Sequence, residues 1–215
     1  MKDSTKAYLE LLGERYPELK NHGVTDDVLA AYKILEKAYK QGKKVLICGN
    51  GGSCSDSEHI VGELMKKFMK KRPLPDTFKE DLKKYGEKGE KLAESLEGAL
   101  RAISLASHPA LSYALINDID GELTFAQQLV GLGDKGDVLI AISTSGNSKN
   151  CGYAAITAKA MGIKVIALTG AKGGKLAEIA DVTVKVPETE TYKVQEYHLP
   201  VYHCLCQMLE EEFFD

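Results

Sequence analysis

Residues 44–63, KVLICGNGGSCSDSEHIVGE, constrain the fold of this chain more than any other stretch. The apolar run Val45, Leu46, Ile47, Cys48 is short and bounded by glycine, the pattern of a strand buried on both faces. Gly49-Asn50-Gly51-Gly52-Ser53 follows at once, and glycines let a backbone turn tightly and approach a ligand. Ser53, Ser55 and Asp56 are candidate N-caps of a helix whose free N–H groups and positive dipole end suit a phosphate. On that helix His59 and Glu63 stand four residues apart, so both can address one small volume. Taken alone, a His-x-x-x-Glu pair is more often a surface pair than a metal site.

The rest of the chain alternates in kind. Tyr8, Leu11, Leu12 and Tyr16 recur at helical spacing, and a second helix is predicted over 25–41, so residues 1–43 read as helices that pack on the domain or at a subunit interface. Beyond Glu63, Lys, Glu and Asp are dense, and Pro73 and Pro75 interrupt the helix. A charged helical insertion is expected at about 76–97, either a solvated excursion or a lid or partner-binding element. Strands are predicted at 138–142, 164–168 and 182–186, and at 100–106, where the ambiguous period also fits the end of a helix but favours a strand. Helices are predicted at 110–116, ending at Asn117-Asp118, and at 123–132, 149–161 and 175–180. A polar loop at 187–192 leads to a long helix from about 195 to 214. Strand following helix in this way implies a parallel sheet with right-handed crossovers, so 44–215 reads as one α/β domain.

Composition narrows the function. With 215 residues, 44% of them hydrophobic, the chain can bury a full core. A net charge of −3 gives no basic footprint for nucleic acid. The N-terminal segment has no signal-peptide core, and no apolar run approaches the ~20 residues of a membrane span. Five cysteines, odd in number and in apolar or functional contexts, suit a reducing cytoplasm.

A second loop repeats the anion-binding chemistry of the first. Ser143, Thr144, Ser145 and Ser148 place four hydroxyls within six residues at the carboxyl end of a buried strand, just before a helix. Hydroxyls, backbone N–H groups and the dipole together make a phosphomonoester site without a lysine or arginine. In doubly wound sheets such loops meet in one crevice.

GNGGS, His59-x-x-x-Glu63, Asn117-Asp118, ISTSGNS, LTG with GGKLAEIAD, Gln195-Glu196 and His203 follow one another from Lys44 to the C-terminus. In this order and spacing they resemble the sugar isomerase (SIS) domain, and within it the metal-dependent phosphoheptose isomerases. The resemblance implies a three-layer αβα, flavodoxin-like doubly wound sheet, and a cytoplasmic homotetramer with sites at subunit interfaces. It implies one Zn2+ per subunit on His59, Glu63, Gln195 and His203, with Glu63 and His203 as the acid/base pair. Substrate contacts carry over to Asn50, Gly51, Gly52, Ser53, Glu63, Asn117, Asp118, Ser143, Thr144, Ser145, Ser148 and Gln195. The implied reaction converts sedoheptulose 7-phosphate to D-glycero-D-manno-heptose 7-phosphate, for heptose and ADP-heptose precursors. A non-catalytic SIS protein that binds a replication initiator or senses a sugar phosphate is the alternative, against which Glu63 and His203 speak. The 76–97 insertion departs from the family pattern.

Elementary chemistry agrees in outline. Ketose–aldose isomerisation needs a base, an acid and an electrophile, roles suited to carboxylate, histidine and a divalent metal. Gln195 and His203 raise a geometric difficulty, because eight residues of helix span about 12 Å. A helix starting near Leu199, with Pro200 in its first turn, would place Gln195 ahead of it. Which of Glu63 and His203 is acid and which base stays open.

Overall fold

The computed structural model describes residues 1–214. Five parallel strands form one sheet in the order β2-β1-β3-β4-β5. They are β1 (Val45–Gly49), β2 (Ala102–Ser104), β3 (Val138–Ile142), β4 (Lys164–Thr169) and β5 (Val182–Lys185). The strands are parallel, as the alternation predicts, and their order is the flavodoxin-like one that the family resemblance implies, with its switch point between β1 and β3.

Period-two alternation within the strands builds two cores. Val45 and Ile47 of β1, Val138, Ile140 and Ile142 of β3, and Ile166 and Leu168 of β4 all face one side. There they meet α3 (Val24–Lys40), α4 (Gly52–Met65) and α11 (Thr191–Phe213). Leu46, Cys48, Leu139, Ala141, Val165 and Ala167 face the other side. They meet α8 (Thr124–Leu132), α9 (Lys149–Ala160) and α10 (Gly174–Ile179). A strand buried on both faces has no polar positions, which is why these runs are uniformly apolar.

Three helices, not two, precede β1: α1 (Asp3–Arg15), α2 (Pro17–Asn21) and α3. Pro17, at the first position of α2, starts a new helix instead of only ending α1. The charged insertion folds as α5 (Asp76–Lys83) and α6 (Glu87–Ser95), and α5 buries no residue. An isolated antiparallel bridge, Pro73 to Glu97, pinches its base.

Four local expectations are corrected. α4 begins at Gly52 with Gly51 as N-cap and no side-chain cap, so Ser53, Ser55 and Asp56 lie inside the helix. The helix after β2, α7 (Pro109–Asp118), runs through Asn117 and Asp118 instead of stopping before them. A 3-10 turn over Gly121–Leu123 precedes α8, which starts at Thr124. α11 starts at Thr191 and continues through Pro200, so Gln195 lies within it and the loop at 187–192 is shorter than expected. Val194 and His198, both fully buried, anchor this first half of α11 in the core and override the local proline signal.

Candidate active site

β1 and β3 are adjacent, with Gly49 opposite Ile142, so their carboxyl-end loops leave the sheet side by side. Gly51 turns with φ of 54°, a conformation glycine adopts without strain. Asn50 and Asn150 exchange side-chain amide bonds of 2.9 Å, joining the first loop to the start of α9. Ser53 is buried, and its N–H donates to the Asn50 carbonyl at 3.0 Å. In the second loop the Ser143 and Ser148 hydroxyls bond each other at 2.9 Å. Thr144 accepts from the Gly170 N–H through its carbonyl, and the exposed Ser145 hydroxyl accepts from the Asn147 N–H at 3.2 Å. The two predicted anion loops thus lie side by side at the carboxyl edge of the sheet.

α4 and α11 run alongside each other in the same direction. At the start of α4, a Cβ on Gly52 would collide with the Gln195 side-chain amide. Two turns on, the Tyr202 hydroxyl lies 3.2 Å from Asp56 Oδ1 and 3.0 Å from His59 Nδ1. His59 Nε2 faces Glu63 Oε1 at 3.3 Å and His203 Nε2 at 3.4 Å. Glu63 is largely buried and His59 largely open. His203 is half-buried, and Phe68 packs against its ring at 5.3 Å between centroids.

The phenol proton decides what this cluster can do. Burial and then the Asp56 carboxylate raise the Tyr202 pKa, so the phenol keeps its one proton. With the phenol O–H donating to Asp56, the Tyr202 oxygen can accept from His59 Nδ1–H, and in that tautomer Nε2 carries a lone pair toward Glu63 and His203. Burial, then the neighbouring His59, lower the His203 pKa against the opposing pull of Glu63. A carboxylate and two imidazoles therefore meet through His59, an arrangement that can hold or pass a proton.

The remaining predicted residues divide. Among the described residues, no three His, Cys, Asp or Glu side chains close around one point as a metal-holding group; His59 is instead the shared member of two pairs. Gln195 stays with Gly52, so the expected set of four does not assemble within one chain. Asn117 and Asp118, at the exposed end of α7, bond each other at 2.7 Å instead of either loop. Tyr202, Asp56 and Asn150 were missed as site residues. Asp56 and His59 at i and i+3 were the available signal for the first pair, whereas nothing in the local pattern marks Asn150.

Comparison with known proteins agrees with the motif order. The SIS domain model matches residues 91–170. A phosphoheptose isomerase of Nitratiruptor sp. is 36% identical over 92% of this chain and 90% of its own. Another, from Rhodospirillum rubrum, is 32% identical over 98% of both chains. The structure of a phosphoheptose isomerase from Francisella tularensis matches with a TM-score of 0.73 at 29% identity, over 98% of this chain and 100% of that one. Fold, loop chemistry and near full-length similarity agree, and the chain belongs to the phosphoheptose isomerase family of SIS-domain isomerases.

Proposed function

We propose that this protein interconverts sedoheptulose 7-phosphate and D-glycero-D-manno-heptose 7-phosphate. The observation that carries the reading is that His59 and Glu63, on a helix whose N-terminus sits at the anion loops, meet His203 of the neighbouring α11. His59 lies seven residues into α4 from Gly52, about 10 Å along the axis, a run suited to a seven-carbon sugar between phosphate and carbonyl carbon. The phosphate sits among Asn50, Gly51, Gly52, Ser53, Ser143, Thr144, Ser145 and Ser148. Asn117, Asp118 and Gln195 contact the sugar. Glu63 and His203 together take the proton from one carbon of the carbonyl pair and return it to the next, and the lowered His203 pKa favours the neutral ring that such shuttling needs.

Within one chain His59 pairs separately with Glu63 and with His203, so these three would hold a zinc ion only in a site that a neighbouring subunit completes. A zinc ion so held would supply an electrophile for the sugar's carbonyl oxygen. Gln195 joins them only in a site completed at a subunit boundary, which fits a homotetramer. The free thiols of all five cysteines suit a reducing cytoplasm. Retention of both proton carriers favours a catalyst over a sugar-phosphate sensor.

Incubation with sedoheptulose 7-phosphate and zinc should form the aldose, and chelation should abolish turnover until zinc is restored. Glu63→Gln and His203→Asn should each lower turnover by about 10²- to 10⁴-fold. Absence of turnover with zinc, while another ketose phosphate reacts, would remove the heptose assignment. Light scattering should give a particle of four 23.5 kDa chains.

A further inference from the structure

Beneath the loop that follows α4 lies a buried ion pair with no part in proton transfer. Arg72 is fully buried, and its Nε donates to Glu210 Oε1 at 2.9 Å. Its other two nitrogens reach the end of α4: Nη1 donates to the Leu64 carbonyl at 2.6 Å and Nη2 to the Glu63 carbonyl at 2.9 Å. Phe214 covers the guanidinium, 4.7 Å from ring centroid to Cζ. The Glu210 carboxylate also accepts three successive backbone N–H groups, from Phe68 at 2.8 Å, Met69 at 2.7 Å and Lys70 at 3.1 Å.

These bonds run between the two helices that carry the candidate proton carriers. Glu210 lies on α11, seven residues after His203, so both face the same side of that helix. Arg72 binds the main chain of Glu63 itself. The segment that Glu210 holds presents Phe68 to the His203 ring. A fork of planar donors fixes direction as well as distance, which a lysine ammonium cannot do.

We propose that Arg72, clamped by Glu210, is a positioning residue that sets Glu63 against His203, and that Phe68 is the arm by which the same clamp orients the His203 ring. This rests on reading Glu63 and His203 as the proton carriers. Arg72 is fully buried and Phe68 acts through the His203 ring, so on this proposal their effect falls on turnover and not on affinity for the phosphate at the far end of α4.

The test compares Arg72→Lys and Phe68→Leu with the parent protein, using sedoheptulose 7-phosphate turnover, thermal melting, and imidazole C–H NMR resonances assigned through His203→Asn. Arg72→Lys should lower kcat about tenfold or more while KM stays within about twofold, and should shift or broaden the His203 resonances. Phe68→Leu should lower kcat about threefold or more without moving the melting midpoint. A lower midpoint with unchanged kcat per folded molecule and unchanged His203 resonances in Arg72→Lys would assign the pair to stability alone and overturn the proposal. Should Arg72→Lys fail to fold, Phe68→Leu decides, and full kcat there overturns the proposal. Glu63→Gln and His203→Asn run in parallel separate the two readings. If they retain turnover, the acid/base assignment fails, and the Arg72→Lys resonances still report whether the clamp holds the ring.

Discussion

At the scale of single residues, one hydroxyl proton governs the cluster. Tyr202→Phe removes the acceptor for His59 Nδ1–H, and the imidazole is then free to place its proton on Nε2, toward Glu63 and His203. Zinc affinity should fall about 10- to 100-fold, read by competition with a chromophoric chelator, because such outer partners fix ligand tautomer and orientation. Gly146 has φ of 68°, and a Cβ there would run into the carbonyl of Gly173. Gly146→Ala should therefore cost more than about 1 kcal/mol in urea unfolding, since alanine meets both a strained φ and a backbone obstruction.

Elements show how far local pattern reaches. β1, β3 and β4 were readable because a strand buried on both faces is apolar throughout, and the serine-rich segment was placed at a strand end because it lies between such a run and a helix. α11 was misread because Pro200 is a strong start signal by proximity, whereas the burial of Val194 and His198 is a tertiary fact with no local mark. The partnership of Arg72 with Glu210 was likewise invisible, since 138 residues separate them. The α5–α6 hairpin allows a direct test of element independence. The Gly98 N–H donates to the Arg72 carbonyl at 2.6 Å beside the Pro73–Glu97 bridge, so the ends of the excursion already meet. Replacing residues 76–95 by a short Gly-Ser turn should leave the circular dichroism spectrum of the core cooperative on heating, with a melting midpoint within a few degrees, because α5 buries nothing and α6 buries only Gly89 and Ala93.

Across the whole molecule, α11 joins the layers through its carboxylates. Glu212 accepts from the Lys2 N–H at 2.9 Å, Thr5 at 3.3 Å, Tyr32 at 3.2 Å and Lys40 at 3.3 Å, tying α1 and α3 to the end of α11. Burial pushes its pKa up, but these donors and the nearby amino terminus outweigh it and bring it to about 2. On the opposite flank, burial of Asp181 is likewise outweighed by Lys159, Lys164 and the Val165 N–H, which hold it at about 2. Both folded values lie below those of the unfolded chain, about 4. Their stabilisation is therefore complete above about pH 4–5 and is lost as pH falls toward 2. The melting midpoint should drop between pH 5 and pH 3, and Glu212→Gln should shrink that drop while lowering the midpoint at pH 7. The placement of α4 has its own bearing on selectivity. On the proposed reading α4 works as a caliper, with the cradle of anion loops at its tip and His59, which pairs with both Glu63 and His203, about 10 Å along it, so only molecules whose charged end and carbonyl match that opening react. Shorter sugar phosphates should lodge in the cradle and stay unconverted, acting as competitive inhibitors.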